Sequence, residues 1–146
     1  MENLIKDSWA KITDNDIKET EKILNIKILK EIRFFYLKYN GGQPERDVFY
    51  SERYEYMVNV FYPLILKNME DSVVKVYQEL KEVLPSWFVV IGDDGGDGLY
   101  GFSIKEKELG AIYYWEGDYD YGENPDEHVV YLSESIERFW EDMVKD

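Results

Sequence analysis

The residues best equipped for chemistry in this chain are carboxylates, gathered in two glycine-framed clusters. The first is Gly92-Asp93-Asp94-Gly95-Gly96-Asp97-Gly98. Clustered carboxylates beside glycines can wrap a hard cation such as Ca²⁺. An EF-hand loop beginning at Asp93 needs a bidentate acid at its last ligand position, but Ile104 stands there. Asp and Gly are also the residues of tight connections, since they accept positive φ and form side-chain turns. Asp93, Asp94 and Asp97 therefore belong to a turn between strands or to a surface that meets a partner, and no metal ligand is expected.

The second cluster is Glu116-Gly117-Asp118-Tyr119-Asp120-Tyr121-Gly122-Glu123-Asn124-Pro125-Asp126-Glu127, with six acids and no base. A charge run of this kind is commonly just a solvated loop. The interleaved tyrosines point the other way, because Tyr is enriched at interface cores and a single-sign field speeds capture of an opposite charge. Glu116, Asp118, Tyr119, Asp120, Tyr121 and Glu123 are thus candidate partner contacts, in balance with the bland loop.

Catalysis has weaker support. The one histidine, His128, stands beside apolar Val129 and Val130. It reads as a strand or rim residue, with no nucleophile elbow to make a triad of it. The glycines keep company with aspartates, which repel the phosphate that a Gly-rich loop would cradle. Paired carboxylates can hydrolyse glycosides, but only at separations that a sequence does not give. A binding protein without a cofactor is the expectation, not an enzyme.

Charge and composition frame these candidates. Seventeen Lys and Arg against thirty-one Asp and Glu give a net charge of −14, which opposes phosphate-mediated binding to nucleic acid or to an anionic membrane. From Glu82 to Glu137 there are fourteen acids and two bases, Lys105 and Lys107, a net of −12. The remainder, seventeen acids and fifteen bases, nets −2. The absence of cysteine excludes disulfides and thiolate chemistry. Without a signal-peptide pattern or a bilayer-length apolar run, a soluble, cytoplasmic protein is expected. At 146 residues and 45% hydrophobic, the chain is sized for one domain with a real core.

The elements that must position the carboxylates follow from periodicity. A first helix is expected after N-cap candidates Thr13 to Asp16, with Ile17, Ile23 and Leu24 on its apolar side. A second runs from about Leu29 to Tyr39, stopped at Asn40-Gly41-Gly42 by a left-handed glycine cap. A strand is expected over Tyr54 to Phe61, and a helix from about Asp71 to Val83 with the stripe Val73, Val76, Tyr77, Leu80. Strands Trp87–Ile91, Leu99–Ile104, Gly110–Trp115 and Val129–Leu132 precede a last helix capped by Ser133, burying Ile136, Phe139, Trp140, Met143 and Val144. This is a single α+β domain: an antiparallel-rich sheet of about four or more strands packed with N-terminal helices and a C-terminal helix. The 24 aromatics, 13 of them Tyr, cannot all face inward in runs such as Tyr113-Tyr114-Trp115, so some must line a surface or a second packed face.

Read in order, three segments resemble the SUKH superfamily, immunity proteins of bacterial polymorphic toxin systems. They are Ile17 to Gly42, with Tyr36-Leu37-Lys38-Tyr39-Asn40-Gly41-Gly42; Leu84-Pro85-Ser86-Trp87 through Gly95-Gly96-Asp97; and Gly110-Ala111-Ile112-Tyr113-Tyr114-Trp115 with Leu132-Ser133-Glu134-Ser135-Ile136-Glu137-Arg138-Phe139-Trp140. The likeness covers about Ile17 to Val144; Ile28 or Leu29 stands where the family often has Pro, and the family often has His near Asp118. It implies an α+β protein without catalytic residues that neutralises a cognate toxin, often a nuclease. A basic, phosphate-holding toxin surface would suit an acidic, tyrosine-bearing face. Two other readings stay open: a regulatory or scaffold module, as in eukaryotic relatives, and a small-molecule or Ca²⁺ sensor.

Overall fold

The computed structural model describes residues 3–51, 54–65, 72–117 and 124–145. Thr13 opens α1 (Asp14–Leu24) with a capping box: its hydroxyl accepts from the Asp16 amide, and the Asp16 carboxylate accepts from the Thr13 amide. Asn25, at φ 55°, closes α1 in the left-handed conformation that Asn tolerates. Next, α2 (Lys30–Lys38) buries Ile32, Phe35 and Tyr36. Its Tyr39 cap is extended, at φ −136°, so the expected left-handed glycine cap is not what ends it. Gly41 and Gly42 serve another purpose. A Cβ on Gly41 would lie 2.6 Å from the Pro63 nitrogen, and Gly42 exchanges backbone hydrogen bonds with Phe61 at 2.8 Å. Both are needed because two chain segments meet there.

Asn40, 1% exposed, stitches that junction. Its side-chain amide donates to the Ala10 carbonyl at 2.9 Å, and its side-chain oxygen accepts from the Leu64 amide at 2.9 Å.

Strands β1 (Ile5–Lys6) and β2 (Gln43–Pro44) form one small pair, and β3 (Val48–Ser51) and β4 (Tyr54–Met57) another. The single strand expected over Tyr54 to Phe61 is thus divided. At Val58 and Asn59 the chain leaves β3, the Val58 amide bonding Asp47 and the Asn59 amide bonding Asp93, and then joins the main sheet as β5 (Val60–Phe61). The partner strand β3 has no counterpart in the sequence reading.

The main sheet is antiparallel, in the order β5-β6-β7-β8-β9, with β6 Phe88–Asp93, β7 Leu99–Ser103, β8 Ile112–Trp115 and β9 Val129–Ser133. Every residue from Phe88 to Gly92 is buried. Successive side chains point to opposite faces, so both faces of β6 are covered. Helix α3 (Val73–Glu79) packs on β6. It is shorter than its apolar stripe suggests, opening at Ser72, whose hydroxyl accepts from the Lys75 amide; the expected start at Asp71 lies outside the described residues. A 3-10 turn, Glu106–Glu108, joins β7 to β8, and another, Pro125–His128, leads into β9.

The last helix, α4 (Ile136–Asp142), is capped by Ser135, whose hydroxyl accepts from the Arg138 amide at 3.1 Å. Ser133 ends β9 instead, buried in register with Ile112. Ile136, Phe139 and Met143 are buried as expected. Val144, 40% exposed, has left the helix and bridges Val48. Phe35 meets Trp140 and Phe61 edge-to-face at centroid distances of 5.5 and 5.2 Å, which joins α2, α4 and β5 in one core. This is the α+β architecture read from the sequence. Among the described residues, no helix is long and apolar enough to cross a membrane.

Candidate functional site

The β6–β7 turn is built by its carboxylates. Asp93 accepts from the Gly95 amide at 2.9 Å, the Tyr62 hydroxyl at 2.8 Å and the Asn59 side-chain amide at 3.2 Å. Asp94 takes the Gly96 and Gly98 amides on Oδ1, at 2.8 and 3.1 Å, and the Tyr114 hydroxyl on Oδ2 at 2.8 Å. Carboxylates so occupied hold a backbone in place and have little capacity left for a ligand. Gly95 adopts φ +86°, and a Cβ on Gly98 would collide with the Tyr114 hydroxyl and Asp94 Oδ2. Gly95 and Gly98 are therefore required by the turn itself. Among the described residues, no group of three or more His, Cys, Asp or Glu side chains is placed to hold a metal.

Beside this turn, the β3–β4 pair stands off the main sheet and leaves a cleft of about 740 Å³. Ser51, Tyr54, Glu55, Tyr56 and Met57 form one wall; Asp94, Asp97, Gly98, Tyr100, Tyr114, Glu116, Gly117 and Val130 complete it. Its rings run in a tilted series: Tyr54 to Tyr56 at 6.4 Å, Tyr56 to Tyr114 at 5.1 Å and Tyr114 to Tyr100 at 5.1 Å. Tyr100 is fully buried and donates to the Met57 carbonyl at 2.7 Å, fixing β4 against β7.

Four carboxylates, Glu55, Asp94, Asp97 and Glu116, line the cleft, and no described Lys or Arg does. The tyrosines register that field. Burial raises the Tyr56 pKa above its ordinary value, and nearby Glu116 and Tyr54 raise it further. Tyr114 is likewise pushed up by burial, then by its hydrogen bond to Asp94. The phenols stay protonated near neutrality, so they can donate and stack but supply no base.

Of the sequence candidates, Asp94, Asp97 and Glu116 come together on this cleft. Asp93 does not; it faces Tyr62 and Asn59 instead. Asp118, Tyr119, Asp120, Tyr121 and Glu123 lie outside the described residues, although Glu116 and Gly117, where that loop leaves β8, are at the cleft wall. Tyr54, Glu55, Tyr56, Tyr100 and Tyr114 went unassigned in the sequence. The only signal for the tyrosines was the excess of aromatics over what a core can face inward, and Glu55 had none. His128 is buried and stands edge-to-face on Trp115 at 5.6 Å, as a packed residue would.

Neither a curated protein nor a solved structure matches the chain. A family model described as the SMI1 / KNR4 family (SUKH-1) matches residues 11–142. That span holds both helices that precede the sheet, the whole sheet and the full cleft. The chain belongs to the SMI1/KNR4 (SUKH-1) family.

Proposed function

We propose that this protein is a cytoplasmic immunity protein that binds and neutralises a cognate bacterial toxin, with a basic nuclease domain as its target. One observation carries the reading: a tyrosine-walled cleft with four carboxylates and no described cation. Nuclease surfaces that grip phosphate are basic, and an acidic face of this kind would steer such a surface to itself and cover it. Family membership supports the same reading. The action is stoichiometric, not enzymatic. Asp94 is engaged by two turn amides and Tyr114, burial holds Tyr56 and Tyr114 protonated, and His128 is packed on Trp115.

Co-expression with the product of the neighbouring reading frame tests this. Rescue of growth together with a 1:1 complex on purification is the expected result. A neighbour that is harmless alone, or that is not retained, would leave the regulatory-module reading in its place.

A further inference from the structure

The β3–β4 wall suggests which chemical group enters the cleft. Tyr54 is 67% and Met57 45% exposed, a large apolar exposure for two residues of so short a pair. Tyr56 lies between Tyr54 and Tyr114, tilted by 62° and 60° to them. Such an arrangement offers π faces at more than one angle to a planar cation. Glu55, Asp97 and Glu116 make no side-chain hydrogen bond or ion pair with a described residue, unlike Asp94. The volume of about 740 Å³ falls within the range of clefts that take small ligands, roughly 300–1,000 Å³, and leaves ample room for one planar side-chain head group.

We propose that this cleft receives an arginine side chain of the partner protein, its guanidinium stacked against Tyr56 and paired with Glu116 and Asp97. The inference rests on the cleft being the partner-facing surface, and it names the group recognised there. Arginine suits the site better than lysine on three counts: it is planar, it stacks on aromatic faces, and its weaker hydration is less costly to strip. A nucleotide or other anion is excluded by the same carboxylates that draw the cation in.

The test is a titration of the intact protein with Nα-acetyl-arginine amide at millimolar concentrations, followed by amide chemical shifts, with the lysine analogue in parallel. Shifts should gather at Gly98, Tyr114 and Gly117, with the lysine analogue binding roughly threefold more weakly. Tyr56→Leu should abolish that preference, and Asp97→Asn with Glu116→Gln should remove binding of both analogues. The second pair changes polar positions on the cleft wall and stands if Tyr56→Leu fails to fold. Equal binding of the two analogues, or shifts spread over the whole acidic surface, overturns the inference. A captured toxin whose affinity is indifferent to these variants also overturns it while neutralisation stands. Failure of the wild-type protein to hold any toxin overturns the function proposed above, and the arginine titration still decides the chemistry of the cleft.

Discussion

Asp94 and Asp97 lie three positions apart in one turn, yet they do different things. Asp94 accepts three hydrogen bonds, from two backbone amides and a tyrosine, and so fixes the path from β6 to β7. Asp97, like Glu116, lines the cleft without such partners among the described residues. Identical chemistry is therefore fold in one place and surface in the other, and what separates them is how many acceptor sites the protein already occupies. Net charge does not separate them, because both contribute equally to the −14 of the chain.

The contrast can be broken most forcefully from the structural side. Asp94→Ala leaves two amides and the Tyr114 hydroxyl without their acceptor; with charge-assisted bonds at issue, the loss should be about 3 kcal/mol in urea unfolding. Asp97→Lys with Glu116→Lys should behave oppositely. Stability should hold within about 0.5 kcal/mol, as for surface changes generally. Association with the proposed toxin partner, by stopped flow at low salt, should slow about tenfold, and the difference should shrink as salt screens the field.

A smaller effect joins the two regions. Tyr114 touches both, donating to Asp94 while forming part of the cleft, and Tyr114→Phe should cost about 1 kcal/mol in the same unfolding assay. The smallest effect is in alkali. Burial raises Tyr36, Tyr100, Tyr113 and Tyr114 above the ordinary 10.0. The folded protein keeps its phenolic protons after the unfolded chain has released them. Their contribution is complete below pH 10 and is lost as pH climbs toward the raised values. Melting temperatures should therefore be insensitive to these groups from pH 7 to 9 and fall above 10, a little less steeply in Tyr114→Phe. An equal slope in both proteins would mean that Tyr114 is not held as described.

Much of the fold was legible because it rests on local signals. Thr13 and its capping partner Asp16 are three residues apart, and the buried positions of α4 follow a helical period. What escaped depends on encounters between distant segments. Gly41 looked like a helix cap, but it is glycine because its φ is +76° at the junction where Pro63 lies against it. Ser133 and Ser135 are equally good caps in sequence, and only the pairing of Ser133 with Ile112 assigns the role to Ser135. The cleft was half visible. Its carboxylates stand out as a charge cluster, whereas its tyrosines come from β4, β7 and β8, which only the tertiary fold brings together.

The Asn40 junction has a consequence for the ageing of this protein. Asn followed by Gly is the dipeptide most open to deamidation, since the unhindered glycine amide can attack the side-chain carbonyl. Here the side chain is buried and tied to Ala10 and Leu64, so the native state shields it. Each excursion to the unfolded chain removes the shield. Conversion to aspartate would then replace an N–H donor by a carboxylate oxygen aimed at the Ala10 carbonyl, and two acceptors would face each other in a dry site. The same residue that locks the fold can thus act as a chemical record of how often it has opened.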